Sequence, residues 1–400
     1  MTTSVLWNSH ASVLIRSGDD LFLTDPWYGI AFSSWSPHPV PAINPDMLIG
    51  LAKSGRLKVI VSHAHDDHLD RTLLAKLEGA TIYVPHTPDH HLTRLIPNSI
   101  EITGPAQAGA CTLNSWEATH SAVISIETPD CTILHGNDVY ALAARTVTEI
   151  NQFINRAGQG LPRLYMGQGG SASGWPLRYR YDAPGRARRA NTKQAAIMYS
   201  LYDLALQLGS HRILAYACYA RAEVDGTEYL PMDSSGRRAN ELNGTDLFLD
   251  MEPGDIFIPS DDNIVKLLPS LNAHAYPRPK MPTFPDLWDL AANRMKDFMA
   301  GIKPIAEKHN LSFTIDVAGG GQYAEGPDNP QRYKTCYVSR AIMSNVLAGR
   351  IPLTDLSTGY LAEWDRSPDE PNIEFLTELE DYGYKWAEAQ SETHLHVKHS

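Results

Sequence analysis

Cysteine is scarce and dispersed. Cys111, Cys131, Cys218 and Cys336 are the only four in 400 residues, and no two stand in C-x-x-C spacing. A disulfide framework and a Cys-rich zinc or iron–sulfur site are thereby excluded. Long apolar runs are also missing, none approaching the roughly 18 residues that a membrane-crossing helix requires. The opening stretch MTTSVLWNSHASVLIRSGDD lacks the basic segment, apolar run and cleavage site of a secretion signal, so a soluble, cytoplasmic chain is expected. Positive charge is in deficit. A net charge of −12 and a pI near 5.7 argue against a general nucleic-acid surface, because phosphate binding draws on clustered Lys and Arg. One local exception is Arg178, Arg180, Arg186, Arg188 and Arg189, interleaved with Tyr179 and Tyr181. That cluster reads either as a solvated loop leading into a helix or as a clamp for an anionic substrate.

What the chain has is histidine in the right company. Ser62-His63-Ala64-His65-Asp66-Asp67-His68-Leu69-Asp70 puts three histidines and three carboxylates into nine residues, directly after the apolar run Leu57–Val61. Imidazole nitrogens and carboxylate oxygens at a strand end are the donors of a divalent-metal site built on a loop. The remaining histidine clusters read differently. His86, His90 and His91 lie in a polar, proline-broken loop, and His394, His396 and His399 lie in a polar tail, so surface positions are expected for both.

Hydrophobic content of 43% over this length supports a large core. Short β-like runs recur at Ser4–Trp7, Ser12–Arg16, Leu21–Thr24, Val59–Val61, Thr81–Val84, Ser99–Thr103, Ala122–Glu127 and Cys131–His135. Helical spacing of apolar residues appears at Leu69–Leu77, Asp138–Asn155 and Thr192–Leu208, the last followed by a strand at Arg212–Tyr219. The mixture predicts an α/β fold with strands and helices in layers and loops gathered at one edge. The proline-rich connector Ala275–Pro285 marks a boundary between residues 1–280 and a C-terminal extension, 281–400. The extension is read as α+β: a helix Asp286–His309 broken or kinked at Pro304, strands Ser312–Val317 and Thr335–Val338, and further helices. Gly319–Gly321 reads as a turn, since no phosphate-loop register follows. The extension carries no catalytic pattern of its own and is expected to pack on the first domain or cover its site.

A metal centre needs donors from several loops, and two downstream residues stand at comparable strand ends. They are His120 and Asp138. The order His-x-His-x-Asp-His, then a lone His, then an Asp closing a strand resembles the metallo-β-lactamase superfamily. That resemblance implies an αββα sandwich with metals on loops at one edge. It implies His63, His65 and His120 on a first metal, Asp67 and His68 on a second, and Asp138 bridging them. The segments Trp7–Ile15 and Leu23–Trp27 resemble the branch containing ascorbate-6-phosphate lactonase and N-acyl-phosphatidylethanolamine phospholipase D. In that branch His10 lies near the metals in a catalytic role, and Asp25 orients a ligand histidine.

The superfamily's usual last ligand is a His after a late strand, whereas here the matching strand ends in Ala217-Cys218. Cys218 and His274 are the candidate substitutes. A narrower similarity, to the non-Rieske portion of CMP-N-acetylneuraminate hydroxylase, covers Gly167–Pro176, Asn240–Asn243, Met251–Asp255 and Ile351–Arg366 in the same order. It implies an oxygenase with two irons, zinc or manganese being the other candidates. The chain has no C-x-H…C-x-x-H pair, so such an enzyme would take electrons from a separate ferredoxin or reductase. The leading expectation is therefore a diiron oxygenase acting on a small, anionic substrate. A dizinc or dimanganese hydrolase of a lactone or phosphoester is the alternative, and a non-catalytic metal scaffold comes third. Arg178 and Arg180 are the expected substrate-binding cations, with Trp27 and Trp175 as apolar wall and Trp35 and Tyr28 beside them. No nucleic-acid partner and no membrane span are expected.

Overall fold

The computed structural model describes residues 2–38, 41–86, 91–118, 121–157, 160–170, 173–218, 220–222, 236–266 and 282–397. Two sheets face each other. The first runs, edge to edge, Asn263–Val265, Ile256–Ile258, Thr3–Ser9, Ser12–Ser17, Asp20–Thr24, Leu57–Ile60, Thr81–Pro85 and Ile100–Ile102. The second runs Arg212–Tyr216, Arg163–Gln168, Thr132–Asn137, Ser121–Glu127, Cys111–Ala118 and Ala106–Ala108.

Alternation along each strand explains the layering. On the first sheet Val5, Trp7, Val13, Ile15 and Phe22 point inward to meet Ile124, Ile126, Ile133, Leu164 and Leu214 of the second. Leu21, Leu23, Leu57 and Val59 point outward, against Leu48 of helix Pro45–Lys53 and Leu73 of the short helix Arg71–Leu74. The outer face of the second sheet, with Val123, Leu134, Tyr165 and Ile213, packs on Ile150 and Ile154 of helix Ala144–Ala157 and on Met198, Leu201 and Leu204 of helix Ala183–Gln207. Strands with both faces covered read as nearly continuous apolar runs, as these do. The result is the αββα sandwich that the resemblance implied.

Strand direction decides where the loops gather. Asp20–Thr24 and Leu57–Ile60 run parallel, as do Thr132–Asn137, Arg163–Gln168 and Arg212–Tyr216. Thr3–Ser9 is two antiparallel steps from Asp20–Thr24 and so runs the same way. Their carboxyl ends gather at one edge of the sandwich, where ligands bind in open α/β sheets.

The extension forms a second layer system. Sheet Gly321–Glu325, Leu311–Ala318, Arg332–Ser339, Ala362–Ser367 packs on helices Met295–Lys308 and Ile373–Val397 around Phe298, Ile302, Phe313, Trp364 and Phe375. It is tied to the sandwich by chain from 175 to 181. Trp364 N donates to Arg178 O at 2.8 Å, Arg180 N donates to Trp364 O at 2.9 Å, and Tyr179 joins the extension's core. Most of the connector Ala275–Pro285 lies outside the described residues.

Several expected elements differ in extent. The helix expected over Leu69–Leu77 is confined to Arg71–Leu74. The one expected from Asp138 begins only at Ala144, because the chain first makes a turn in which Val139 N donates to Gly136 O. The helix expected from Thr192 starts at Ala183, where Asp182 caps it by accepting from Gly185 N at 2.9 Å and Pro184 fits the first turn. Pro304 does not break its helix, which is continuous over Met295–Lys308; the interruption falls earlier, at a 3-10 turn over Ala292–Arg294. Strands Cys111–Ala118, Arg163–Gln168 and Ala362–Ser367 had no counterpart in the sequence pattern.

Candidate metal centre

Each candidate side chain at the sheet edge follows the end of a strand. His10 lies in the tight turn after Thr3–Ser9, Asp25 follows Asp20–Thr24, and His63 to His68 follow Leu57–Ile60. Asp138 follows Thr132–Asn137, and Ala217 follows Arg212–Tyr216. Four positions at this edge take left-handed backbone without being glycine: His10 (φ 37°), Asp25 (34°), Asn137 (38°) and Ala217 (53°). Such conformations cost about 1 kcal/mol or more each and concentrate where a site over-determines the chain.

Asp138 is the hub. Its Oδ2 lies 3.4 Å from His63 Nε2 and 3.6 Å from His65 Nδ1, and its Oδ1 lies 3.3 Å from His68 Nε2. His63 Nε2 and His65 Nδ1 are 2.8 Å apart. On the other side of His68, Asp67 Oδ2 lies 3.9 Å from His68 Nε2 and 3.1 Å from His10 Nε2. Two groups of converging donors result, His63–His68–Asp138 and His10–Asp67–His68, each with its ligand atoms within 4.8 Å of one another. His68 belongs to both. His120 and His274 lie outside the described residues.

The donor set fits a cation. His68 Nε2, Asp67 Oδ1, Asp138 Oδ1 and His10 Nδ1 are buried with no hydrogen-bond partner, although buried polar atoms are nearly always paired. Burial favours the neutral form of His68, but the surrounding Asp138, Asp67 and Asp25 hold its imidazolium well above the usual range. Burial likewise raises the carboxyl of Asp138, and His68, with hydrogen bonds from His63 and His65, outweighs it to hold the group well below the usual range. Burial and the neighbouring His68 push His63 down to about 4. A divalent ion would replace the proton on His68 and take up the same carboxylates.

Behind these donors stands a network that sequence reasoning caught only at Asp25. Asp25 Oδ2 lies 2.8 Å from His68 Nδ1 and 3.0 Å from His135 Nε2, while Ser62 donates to Asp25 through both N and Oγ at 2.7 Å. His135 Nδ1 hydrogen-bonds the hydroxyl of Tyr216, which also accepts from Asn137 N at 3.1 Å. Burial raises the Asp25 carboxyl, yet His135 and His68 together keep it far below the ordinary range. The signal for His135 was its place on the strand that ends just before Asp138. Asp70, part of the dense histidine run, is not among the donors. Its Oδ1 caps the helix at Leu73 N, and its Oδ2 accepts from Tyr28 N and Gly29 N at 3.0 Å.

Two hollows meet at Asp67. One is lined by His10, Trp27, Trp35, Trp175, Tyr360 and Lys193. The other, a wider cleft, is lined by His63, His65, Asp138 and Tyr140 and, from the extension, Glu380 and Tyr384. Trp27 and Trp175 thus wall the first hollow. Arg178 and Arg180 line neither: the Arg178 guanidinium donates to Ala362 O at 3.4 Å, and Arg180 pairs with Glu363 at 3.2 Å over the ring of Tyr337. They face the extension's sheet because the 175–181 segment pairs with it. The cation in the hollow is Lys193, which donates to Trp175 O at 2.8 Å and whose ammonium burial pushes down to about 8.

No family model and no curated protein matches the chain. Among solved structures it is similar to a possible metal-dependent hydrolase from Veillonella parvula at 14% identity, covering 64% of this chain and 99% of that one with a TM-score of 0.44. Igni18, a metallo hydrolase from Ignicoccus hospitalis, is similar at 16% identity over 67% of this chain and 100% of that one, TM-score 0.40. CmlA, a diiron β-hydroxylase from Streptomyces venezuelae, is similar at 12% identity over 66% of this chain and 54% of that one, TM-score 0.41. The class defined by fold and site is an αββα sandwich with a His/Asp cluster of metal-binding type at the strand ends.

Proposed function

We propose that this chain is a metal-dependent hydrolase of metallo-β-lactamase type, with a dinuclear centre. The observation that carries the reading is the pair of donor groups sharing His68, with buried, unpartnered ligand atoms in both. His63, His65 and Asp138 would hold one ion and Asp67 and His68 the other, with Asp138 between them. When bound, such ions lower the pKa of water towards about 7 and polarise a carbonyl or phosphoryl oxygen. The protein's part is positional: Asp25 and Ser62 hold His68 in one tautomer and ring angle, and the aromatic hollow removes water from around the substrate. Lys193 in that hollow suits the anionic end of a small substrate with an apolar body.

Oxidation by two irons is the second reading, favoured by the ordered resemblance to the hydroxylase segments. It requires dioxygen and electrons from a separate ferredoxin or reductase, whereas hydrolysis needs only water. The deciding experiment is elemental analysis of protein expressed with iron, zinc and manganese supplied. It is paired with lactone and phosphodiester turnover under anaerobic conditions and with oxygen uptake in the presence of a reductant. Anaerobic turnover establishes hydrolysis. Iron-dependent oxygen uptake without anaerobic turnover overturns it in favour of oxidation.

A further inference from the structure

We propose that His10 is itself a metal ligand, supplying at the second ion the nitrogen donor that the late strand lacks. The inference rests on the dinuclear reading and adds a residue to it. The late strand Arg212–Tyr216 runs into Ala217, whose methyl group has nothing to donate, and Cys218 lies outside both groups of converging donors among the described residues. At that strand end Ala217 N donates to His10 O at 3.0 Å, so the peptide of His10 is fastened to the position where a ligand would otherwise stand. Trp7 Nε1 donates to the same carbonyl at 2.9 Å. Both His10 and Ala217 are held at positive φ. The imidazole is thereby delivered from the opposite sheet into the gap.

Its ring is aimed at the centre. Nε2 lies 3.1 Å from Asp67 Oδ2, and His10, Asp67 and His68 are 5%, 6% and 0% exposed. A simple His10–Asp67 hydrogen bond accounts for that one contact but leaves Asp67 Oδ1 and His68 Nε2 buried with no hydrogen-bond partner, His68 Nε2 approaching only the carboxylates at 3.3 Å (Asp138) and 3.9 Å (Asp67). One cation among the three side chains would draw on one ligand atom from each of them, His68 Nε2 included. Imidazole, carboxylate and imidazole are ordinary ligands for zinc, manganese or iron. The Trp27 indole meets the His10 ring in a T-shaped contact, centroids 5.1 Å apart, which restricts its plane.

The test is metal stoichiometry on the full chain. Metal-stripped wild type, His10→Asn, His10→Gly and Cys218→Ser are titrated with Co²⁺, followed by visible absorption and elemental analysis, with circular dichroism as the fold control. Asn and Gly both tolerate the positive φ at this position, so the backbone is kept. Wild type and Cys218→Ser are expected to bind two equivalents. The two His10 variants should keep one tight equivalent and lose the second by more than the roughly 10- to 100-fold that removal of a supporting contact costs. Two equivalents at wild-type affinity and with the wild-type spectrum in a folded His10 variant would overturn the proposal. A sulfur-to-cobalt band in wild type that disappears in Cys218→Ser would also overturn it, in favour of the thiolate. Failure of folded wild type to bind any Co²⁺ would instead remove the metal-centre reading itself.

Discussion

Asp25 accepts from His68 across 2.8 Å with both side chains fully buried. The bond directs the opposite ring nitrogen, Nε2, at the Asp67 and Asp138 carboxylates. Asp25→Asn retains the shape and the tolerance for positive φ but removes the charge that holds the imidazole. Metal affinity should fall by roughly 10- to 100-fold, measured by competition with a chromophoric chelator. Because His68 and His135 lose a buried counter-charge, the metal-free variant should also be less stable by about 3–5 kcal/mol in urea unfolding. Unchanged affinity would show that His68 does not depend on Asp25.

His65 is the donor with the greatest exposure, its side chain 51% accessible. Its side chain is half exposed, so His65→Ala should fold with a wild-type circular dichroism spectrum while losing metal and turnover together. Unfolding of the variant would mark the ion as structural. In wild type, saturating metal at about 100 times its dissociation constant should add roughly 2.7 kcal/mol to stability, and a chelator should reverse it.

Asp355 offers a pH dependence from a carboxyl that is not itself among the converging donors. The carboxyl is 3% exposed, burial pushes it up to about 7, and neighbouring Asp66 adds to that, against the opposing hydrogen bond from Ser33 Oγ at 2.6 Å. The native state therefore holds this proton up to about pH 7, while the unfolded chain releases it near 4. Stability contributed by the protonated form is fully present below pH 4 and declines as pH rises through 7. A window of about three units corresponds to a few kcal/mol at roughly 1.4 kcal/mol per unit. Asp355→Asn should remove this slope, read as the difference between wild-type and variant unfolding free energies from pH 4 to 8. Parallel curves would refute the assignment.

Tyr165 is buried on the outer face of the second sheet, and its hydroxyl has no partner. Tyr165→Phe should be neutral or stabilising by about 1 kcal/mol, because a desolvated, unpaired hydroxyl costs that much. The same ring abuts Gly136, where an added Cβ would collide with the Tyr165 oxygen and ring carbons. Gly136→Ala should therefore cost about 1–3 kcal/mol by overpacking, and truncation of Tyr165 to Ala in the same chain should restore tolerance of the added methyl group. Both effects are measured by denaturant midpoints.

Much of the fold was readable because the apolar residues keep their period. Leu57, Val59 and Val61 point one way and Ile60 the other, and that alternation is local. The caps at Asp70 and Asp182 are equally local but harder to see: Asp70 is obscured by its histidine-rich surroundings, and Asp182 by the arginines that follow it. Arg178 and Arg180 misled for the opposite reason. Their charge was visible, but the strand they pair with lies more than 180 residues further along.

The order of donors His63, His65, Asp67, His68 and then Asp138 was contained in the sequence by itself, because one short loop and one strand end carry them. So was the layered α/β class. Tertiary structure decided which donors meet. Only the shared direction of strands far apart in the chain brings His10 to Asp67, Asp25 between His68 and His135, and Ala217 onto the His10 carbonyl. Spacing along a chain encodes periodicity; convergence at a sheet edge depends on strand order and direction, which the packing of two apolar faces selects.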